Sequence, residues 1–136
     1  MGEMLTAYRD IIRKINQKEI LIKELDEVNI KVSRGLGVQT SNRSNSVEDL
    51  VIKITEEKEK LSTLHNKASN IYSSIFNNIY KLNDDTYKTL LILRYLKLKS
   101  WGEIAKSLNY SKDYVRTSLH EKAKREYDKM FTNNHQ

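Results

Sequence analysis

The stretch SWGEIAKSLNYSKDYVRTSLHEKA, residues 100–123, decides the fold of this 136-residue chain. Ser100 is followed three residues later by Glu103, a capping-box pattern that predicts the start of a helix. Ile104, Ala105 and Leu108 would share one face of that short helix. Asn109 then predicts a turn, because asparagine tolerates the left-handed conformation that ends many helices.

A second helix, residues 111–127, is predicted directly after this turn. Ser111 can cap its start, and Val115 and Leu119 are spaced by four so that both face back onto the first helix. Ala123 continues this apolar stripe. The opposite face, directed toward solvent or a groove, is predicted to carry Lys112, Asp113, Arg116, Thr117 and His120.

Two short helices joined by a tight turn, with basic and polar residues outside, are typical of a helix-turn-helix that reads the DNA major groove. Arginine can pair with guanine, and threonine or lysine can reach bases or phosphates. The same face could instead be a solvated surface of a small helical bundle. The predicted DNA contacts are Lys99, Ser111, Lys112, Asp113, Tyr114, Arg116, Thr117, His120 and Lys124.

The composition excludes several other classes of function. Without cysteine there is no disulfide scaffold, thiol nucleophile or cysteine metal site, and the three histidines have no metal-ligand spacing. Neither a glycine-rich phosphate loop nor a nucleophile–base pair is recognisable. We therefore expect no enzyme activity, metal or cofactor. No apolar run reaches membrane-spanning length and no signal-peptide pattern is seen, so a cytoplasmic location without membrane contact is expected.

Positive charge is concentrated in the C-terminal part of the chain. Residues 88–127 contain ten Lys/Arg and four Asp/Glu, whereas residues 1–83 contain thirteen Lys/Arg and eleven Asp/Glu. The excess of six positive charges in residues 88–127 equals the net charge of the whole chain, +6. A localised positive field favours binding to a phosphate backbone, which supports double-stranded DNA as the partner.

The N-terminal region, residues 1–83, is predicted to form a helical hairpin that serves as an oligomerisation arm. Apolar stripes indicate one helix from Glu3 to about Val32 and a second from Ser46, capped with Asp49, to about Leu82. A polar linker, about residues 34–45, contains Gly35 and Gly37. The heptad-like seam of the second helix, interrupted by Glu57, is suited to helix pairing, with a dimer favoured. Its predicted oligomerisation residues are Leu50, Ile54, Leu61, Leu64, Ile71 and Ile75.

The predicted fold is therefore all-α: a long antiparallel helical arm followed by a C-terminal trihelical helix-turn-helix unit, residues 84–127, and a flexible tail, residues 128–136. The apolar segment from Tyr87 to about Leu96 would supply the third helix of this unit. Trp101 is expected in its core, near Leu91, Leu98 and Ile104.

From Tyr87 onward the sequence resembles the fourth region of bacterial sigma factors, on RYL at residues 94–96 and SWGEIAKSLNYSKDYVRTSLHEKA. The whole layout is similar to small phage regulators of the ArpU and RinA type. This resemblance implies a phage or prophage transcriptional regulator, often an activator of late genes. It also implies that Arg116, Thr117 and His120 face outward from the reading helix, with Lys112 near its start. The chain departs from the pattern at Asn109, where glycine is common, and lacks the core-binding regions of a complete sigma factor.

Two alternatives remain open from the sequence. Small phage terminase subunits also combine a helix-turn-helix with helical oligomerisation segments, although many place the DNA-binding unit first. Alternatively, the chain could be a protein-interaction module whose long helices bind RNA polymerase or another protein.

Overall fold

The structure, a computed structural model, describes residues 2–35 and 43–132. Every regular element in these ranges is helical, which confirms the all-α class. The helices are α1 (Gly2–Ser33), α2 (Arg43–Tyr80), α3 (Asp85–Leu91), α4 (Trp101–Leu108), α5 (Lys112–Tyr114) and α6 (His120–Thr132). A π-helical turn, Ile92–Leu96, extends α3, and a second, Val115–Leu119, joins α5 to α6. We refer to residues 112–132 as the C-terminal helix.

The ends of the first two helices differ in part from the predicted linker. Gly35 has a φ of 79° and its N–H bonds to the carbonyl of Val32, which ends α1 in the left-handed conformation that glycine favours. Gly37 and most of the predicted linker lie outside the described residues. Because α2 begins at Arg43, Ser46 lies within the helix and not at its start.

The chain divides into two compact units, and neither matches the predicted boundary at residues 83 and 84. The composite unit contains Met1–Asp10 and Ala68–Gln136, and the two-helix unit contains Ile11–Lys67. The reason is that Leu5 of α1 and Ile75 and Ile79 of α2 belong to the same buried cluster as Leu90 of α3. The C-terminal helices thus share their core with residues from the first and second helices.

Among the described residues of the composite unit, the side chains of the buried core are apolar apart from two tyrosine hydroxyls. Those of Tyr95 and Tyr127 bond to His120 and Asn78, respectively. The core extends further along the chain than predicted, because Tyr127 is buried and its ring packs 4.7 Å from that of Phe131. The helix continues to Thr132, so residues 128–132 of the predicted flexible tail are helical. Residues 133–136 of that tail lie outside the described residues.

In the two-helix unit, segments of α1 and α2 bury one another's apolar stripes. Ile15 and Ile22 of α1 and Ile54 of α2 are buried. Glu57, the polar interruption of the second stripe, accepts a 2.6 Å hydrogen bond from Lys18 of α1. This bond holds the pKa of Glu57 below its usual value. Lys18 and Glu57 are therefore a matched pair between the two helices.

None of the described helices combines the length and the apolar character needed to cross a membrane.

Candidate functional site

The candidate site begins with the capping box predicted at the start of α4, which the structure confirms. The Ser100 hydroxyl accepts a hydrogen bond from the Glu103 N–H, and the Glu103 carboxylate accepts one from the Ser100 N–H, at 3.2 and 3.1 Å. These bonds to Ser100 lower the pKa of Glu103. The start of α4 is thus fixed by its own sequence.

The turn after α4 also has the predicted conformation. Asn109 lies in the left-handed region, with φ 64° and ψ 39°, and the Tyr110 N–H bonds back to the Ala105 carbonyl. Ser111 then caps the next helix, because its hydroxyl accepts a 3.2 Å hydrogen bond from the Tyr114 N–H. The chain therefore turns between α4 and α5 without glycine or proline.

The inward face of the C-terminal helix is as predicted. Val115, Leu119 and Ala123 are buried in the same cluster as Ile104 and Ala105 of α4. Their burial fixes the rotation of the C-terminal helix, because one side is occupied by the core. The other side must then face solvent.

This outward side carries the polar residues that the sequence assigned to it, and Ser111, Lys112, Asp113, Tyr114, Arg116 and Thr117 are all exposed. A shallow open groove runs along the helix between Arg116 and Lys129. Two arginines on this side are paired within the helix: Arg116 lies 3.4 Å from Asp113, and Arg125 lies 3.3 Å from Glu121. Such exposed pairs are weak, so both arginines remain available to an anionic ligand.

The two remaining predicted lysines lie at different places around this surface. Lys124 lines the groove one turn after His120. Lys99 precedes α4 and its Nζ lies 4.0 Å from the Glu103 carboxylate. Lys99 is exposed and belongs to the connection between α3 and α4, so it is not part of the groove.

His120 requires a correction, because it is not directed fully outward. Its ring is half buried, its Nε2 lies 2.6 Å from the Tyr95 hydroxyl, and the Trp101 ring meets it edge-on at 4.7 Å. Burial, with the nearby charges of Lys124 and Arg94, lowers the pKa of His120 to about 4. At neutral pH the ring is therefore uncharged, and only its remaining exposed edge borders the groove.

Arg94 is a structural residue of this region that sequence analysis did not single out. Its guanidinium carbon lies 4.1 Å from the centre of the Trp101 ring, and it donates a 3.1 Å hydrogen bond to the Lys99 carbonyl. Leu98, expected beside Trp101, is instead 38% exposed and has a φ of 57°. This left-handed residue directs the chain from the end of the Ile92–Leu96 turn into α4. Arg94 lies in the RYL motif, residues 94–96, and Trp101 lies in the SW pair, residues 100–101. No periodicity of the sequence indicates that these two residues are in contact.

Two of the six predicted oligomerisation residues are buried within the chain itself. Ile54 and Ile75 are 6% and 1% exposed, because the chain's own residues cover them. Leu50, Leu61, Leu64 and Ile71 are partly buried. The two buried isoleucines are therefore unavailable to a second copy in this conformation.

Comparisons with protein-family models, curated proteins and solved structures give no match for this chain. Within residues 2–35 and 43–132, no three His, Asp or Glu side chains are grouped to hold a metal ion. Support for the candidate site therefore comes from its geometry and not from a related protein.

Proposed function

We propose that the chain is a sequence-specific double-stranded DNA-binding transcriptional regulator of phage or prophage type. In this proposal α4 and the C-terminal helix form a helix-turn-helix, and the C-terminal helix enters the major groove. The long helices form an antiparallel arm with a dimer favoured, in which the buried Ile54 and Ile75 take no part, and the protein acts in the cytoplasm without enzymatic activity or cofactor.

One observation carries the proposal: the two faces of the C-terminal helix are separated in composition. On its inner face, Val115 and Leu119 are buried in the same cluster as residues of α4. On its outer face, Lys112, Arg116 and Thr117 are exposed. Arginine and lysine at the start of such a helix are suited to guanine and phosphate, respectively. The charge excess of residues 88–127 adds attraction for the DNA backbone.

The direct test is binding of the full chain to fragments of its own genomic neighbourhood, at two salt concentrations and with competitor DNA. We expect one fragment to be retained despite competitor, and its symmetry would report the arrangement of subunits. Retention that disappears with competitor would indicate attraction to the backbone alone, and the proposed sequence specificity would be wrong.

A pair of variants tests the assigned face. Replacing both Lys112 and Arg116 by alanine should weaken specific binding, with about 1–3 kcal/mol expected from Arg116 if it reads a base. The matched control replaces Lys23 and Lys67, two exposed lysines of the two-helix unit, and removes the same charge. Equal binding by both double variants would exclude the assigned face.

A protein-binding role is the second candidate, supported by an aromatic pair near the end of α2. Phe76 and Tyr80 are 37% and 63% exposed and stack at 5.8 Å, with the Lys88 Nζ 4.5 Å above the Tyr80 ring. Exposed aromatic residues are enriched at protein interfaces. Salt-insensitive association with RNA polymerase that is lost in Tyr80→Ala, together with no retention of DNA, would favour this role.

A further inference from the structure

Thr117 occupies a central position on the outward side of the C-terminal helix. It is exposed, follows Arg116 directly and lines the open groove together with Lys124. It lies in the π-helical turn Val115–Leu119, two residues before the buried Leu119. If this helix enters the DNA major groove, as proposed above, Thr117 will face the edges of the bases.

The hydroxyl proton of Thr117 is already committed within the helix. Its Oγ1 donates a 2.5 Å hydrogen bond to the carbonyl oxygen of Asp113, four residues earlier. Threonine commonly bonds back in this way, and the bond fixes its χ1 rotamer. The hydroxyl therefore has no proton left to donate to a phosphate or a base acceptor. The hydroxyl oxygen can still accept a hydrogen bond, and the methyl group is free to make an apolar contact.

A methyl group can recognise one feature of the major groove. Among the four bases, only thymine presents a methyl group there, and apolar contact between a threonine methyl and this group is a known mode of base readout. Arg116, directly beside Thr117, offers the donors that suit guanine. The two neighbouring side chains thus differ in what they can recognise.

We propose that Thr117 is a specificity-determining residue that selects thymine through contact between its own methyl group and the thymine 5-methyl group. This inference rests on the proposed DNA-binding function and adds to it the identity of one base. Burial of one methyl group changes a binding constant by about fourfold. Loss of either methyl group should therefore weaken binding by about that factor.

The test starts with selection of duplexes from a random pool by the full wild-type chain. In the selected duplex, each thymine is then replaced singly by deoxyuracil, which removes only the methyl group. We expect one thymine in each half-site at which the replacement weakens wild-type binding about fourfold.

Two variants, one without the methyl group and one without the hydroxyl, test whether this preference for thymine depends on Thr117. Thr117→Ser keeps the hydroxyl and lacks the methyl, so it should bind the thymine and deoxyuracil duplexes equally and more weakly than wild type. Thr117→Val keeps a methyl and lacks the hydroxyl, so it should retain the fourfold preference. Ser118→Ala, at an exposed neighbour in the same turn, is the matched control and should also retain it.

The outcomes separate the two proposals. If Thr117→Ser keeps the full preference at every thymine, or if no thymine methyl affects wild-type binding, the role of Thr117 is overturned while DNA binding stands. If the selection enriches no sequence, the proposed function itself fails. Circular dichroism of each variant verifies that it is folded before binding is measured.

Discussion

The Tyr95 hydroxyl lies 2.6 Å from Nε2 of His120, and this hydrogen bond joins the Ile92–Leu96 turn to the first residue of α6. His120 thereby fixes the C-terminal helix near the middle of the candidate site. Since the Trp101 ring packs against the same imidazole, residues from three helical segments meet at one side chain.

Stability should depend on pH through His120. The pKa of His120 is lowered from 6.5 to about 4 by burial, so the unfolded chain binds a proton at a pH at which the folded chain does not. The free energy of unfolding should therefore fall as the pH falls from about 6.5 to 4. A loss of about 1–2 kcal/mol is expected, because the half-exposed ring is partly screened by water.

Urea denaturation between pH 7 and pH 4 measures this effect. His120→Gln provides the comparison, since it lacks the titrating group but keeps Glu57 and Glu103, whose carboxylates also titrate in acid. If wild type and His120→Gln lose the same stability over this interval, the assignment to His120 is wrong.

Asn109 should tolerate glycine but not alanine. Its φ of 64° places the backbone in a region that costs a β-carbon-bearing residue about 1–2 kcal/mol, although asparagine is less affected than most. Asn109→Ala should lower the free energy of unfolding by about 1 kcal/mol, and Asn109→Gly should leave it unchanged or raise it slightly. The denaturant midpoints of the two variants measure this difference. Equal midpoints for Asn109→Ala and Asn109→Gly would contradict the prediction.

Lys18 and Glu57 should be coupled. Their side chains are 23% and 17% exposed, and removal of one partner leaves a mostly buried charge without its counterpart. Lys18→Leu and Glu57→Leu should each lower the thermal midpoint. The double variant should recover the loss or exceed the wild-type midpoint, because an apolar pair avoids the desolvation cost. Additive losses in this double-mutant cycle would show that the pair is not coupled.

Leu5 should be essential to the composite unit. It is fully buried in the cluster that contains Leu90 and Ile104, so Leu5→Ala should lower the free energy of unfolding by about 2–5 kcal/mol. Ile20→Ala, at a position 62% exposed, is the control and should change it little. A fragment of residues 84–136 lacks Leu5, Ile75 and Ile79 and should not fold, which circular dichroism would show.

Local signals in the sequence predicted the caps and the turn. Ser100 with Glu103, Asn109 and Ser111 each act within about four residues of chain, so their roles follow from residue type and spacing. The apolar stripe of Val115, Leu119 and Ala123 was predictable for the same reason, because helical periodicity determines which residues share a face.

Contacts between distant segments were less predictable. The 3.6-residue period identified the stripe of α1 but could not show that Leu5 packs in a different unit from Ile22. Glu57 was recognised as an interruption, yet its partner Lys18 is 39 residues away and no local pattern connects them. His120 was placed outward by its position on the helix, whereas its interaction with Tyr95 depends on the packing of α3.

The composite unit also has a consequence for biosynthesis. Tyr127 donates a hydrogen bond to the sulfur of Met4 across 123 residues of chain, and both belong to this unit. At translation rates of about 5–20 residues per second, roughly 6–25 s separate the synthesis of the two residues. During that interval the core that contains Leu5 is incomplete, so the N-terminal residues cannot finish packing until the C-terminal residues of the same unit have been synthesised.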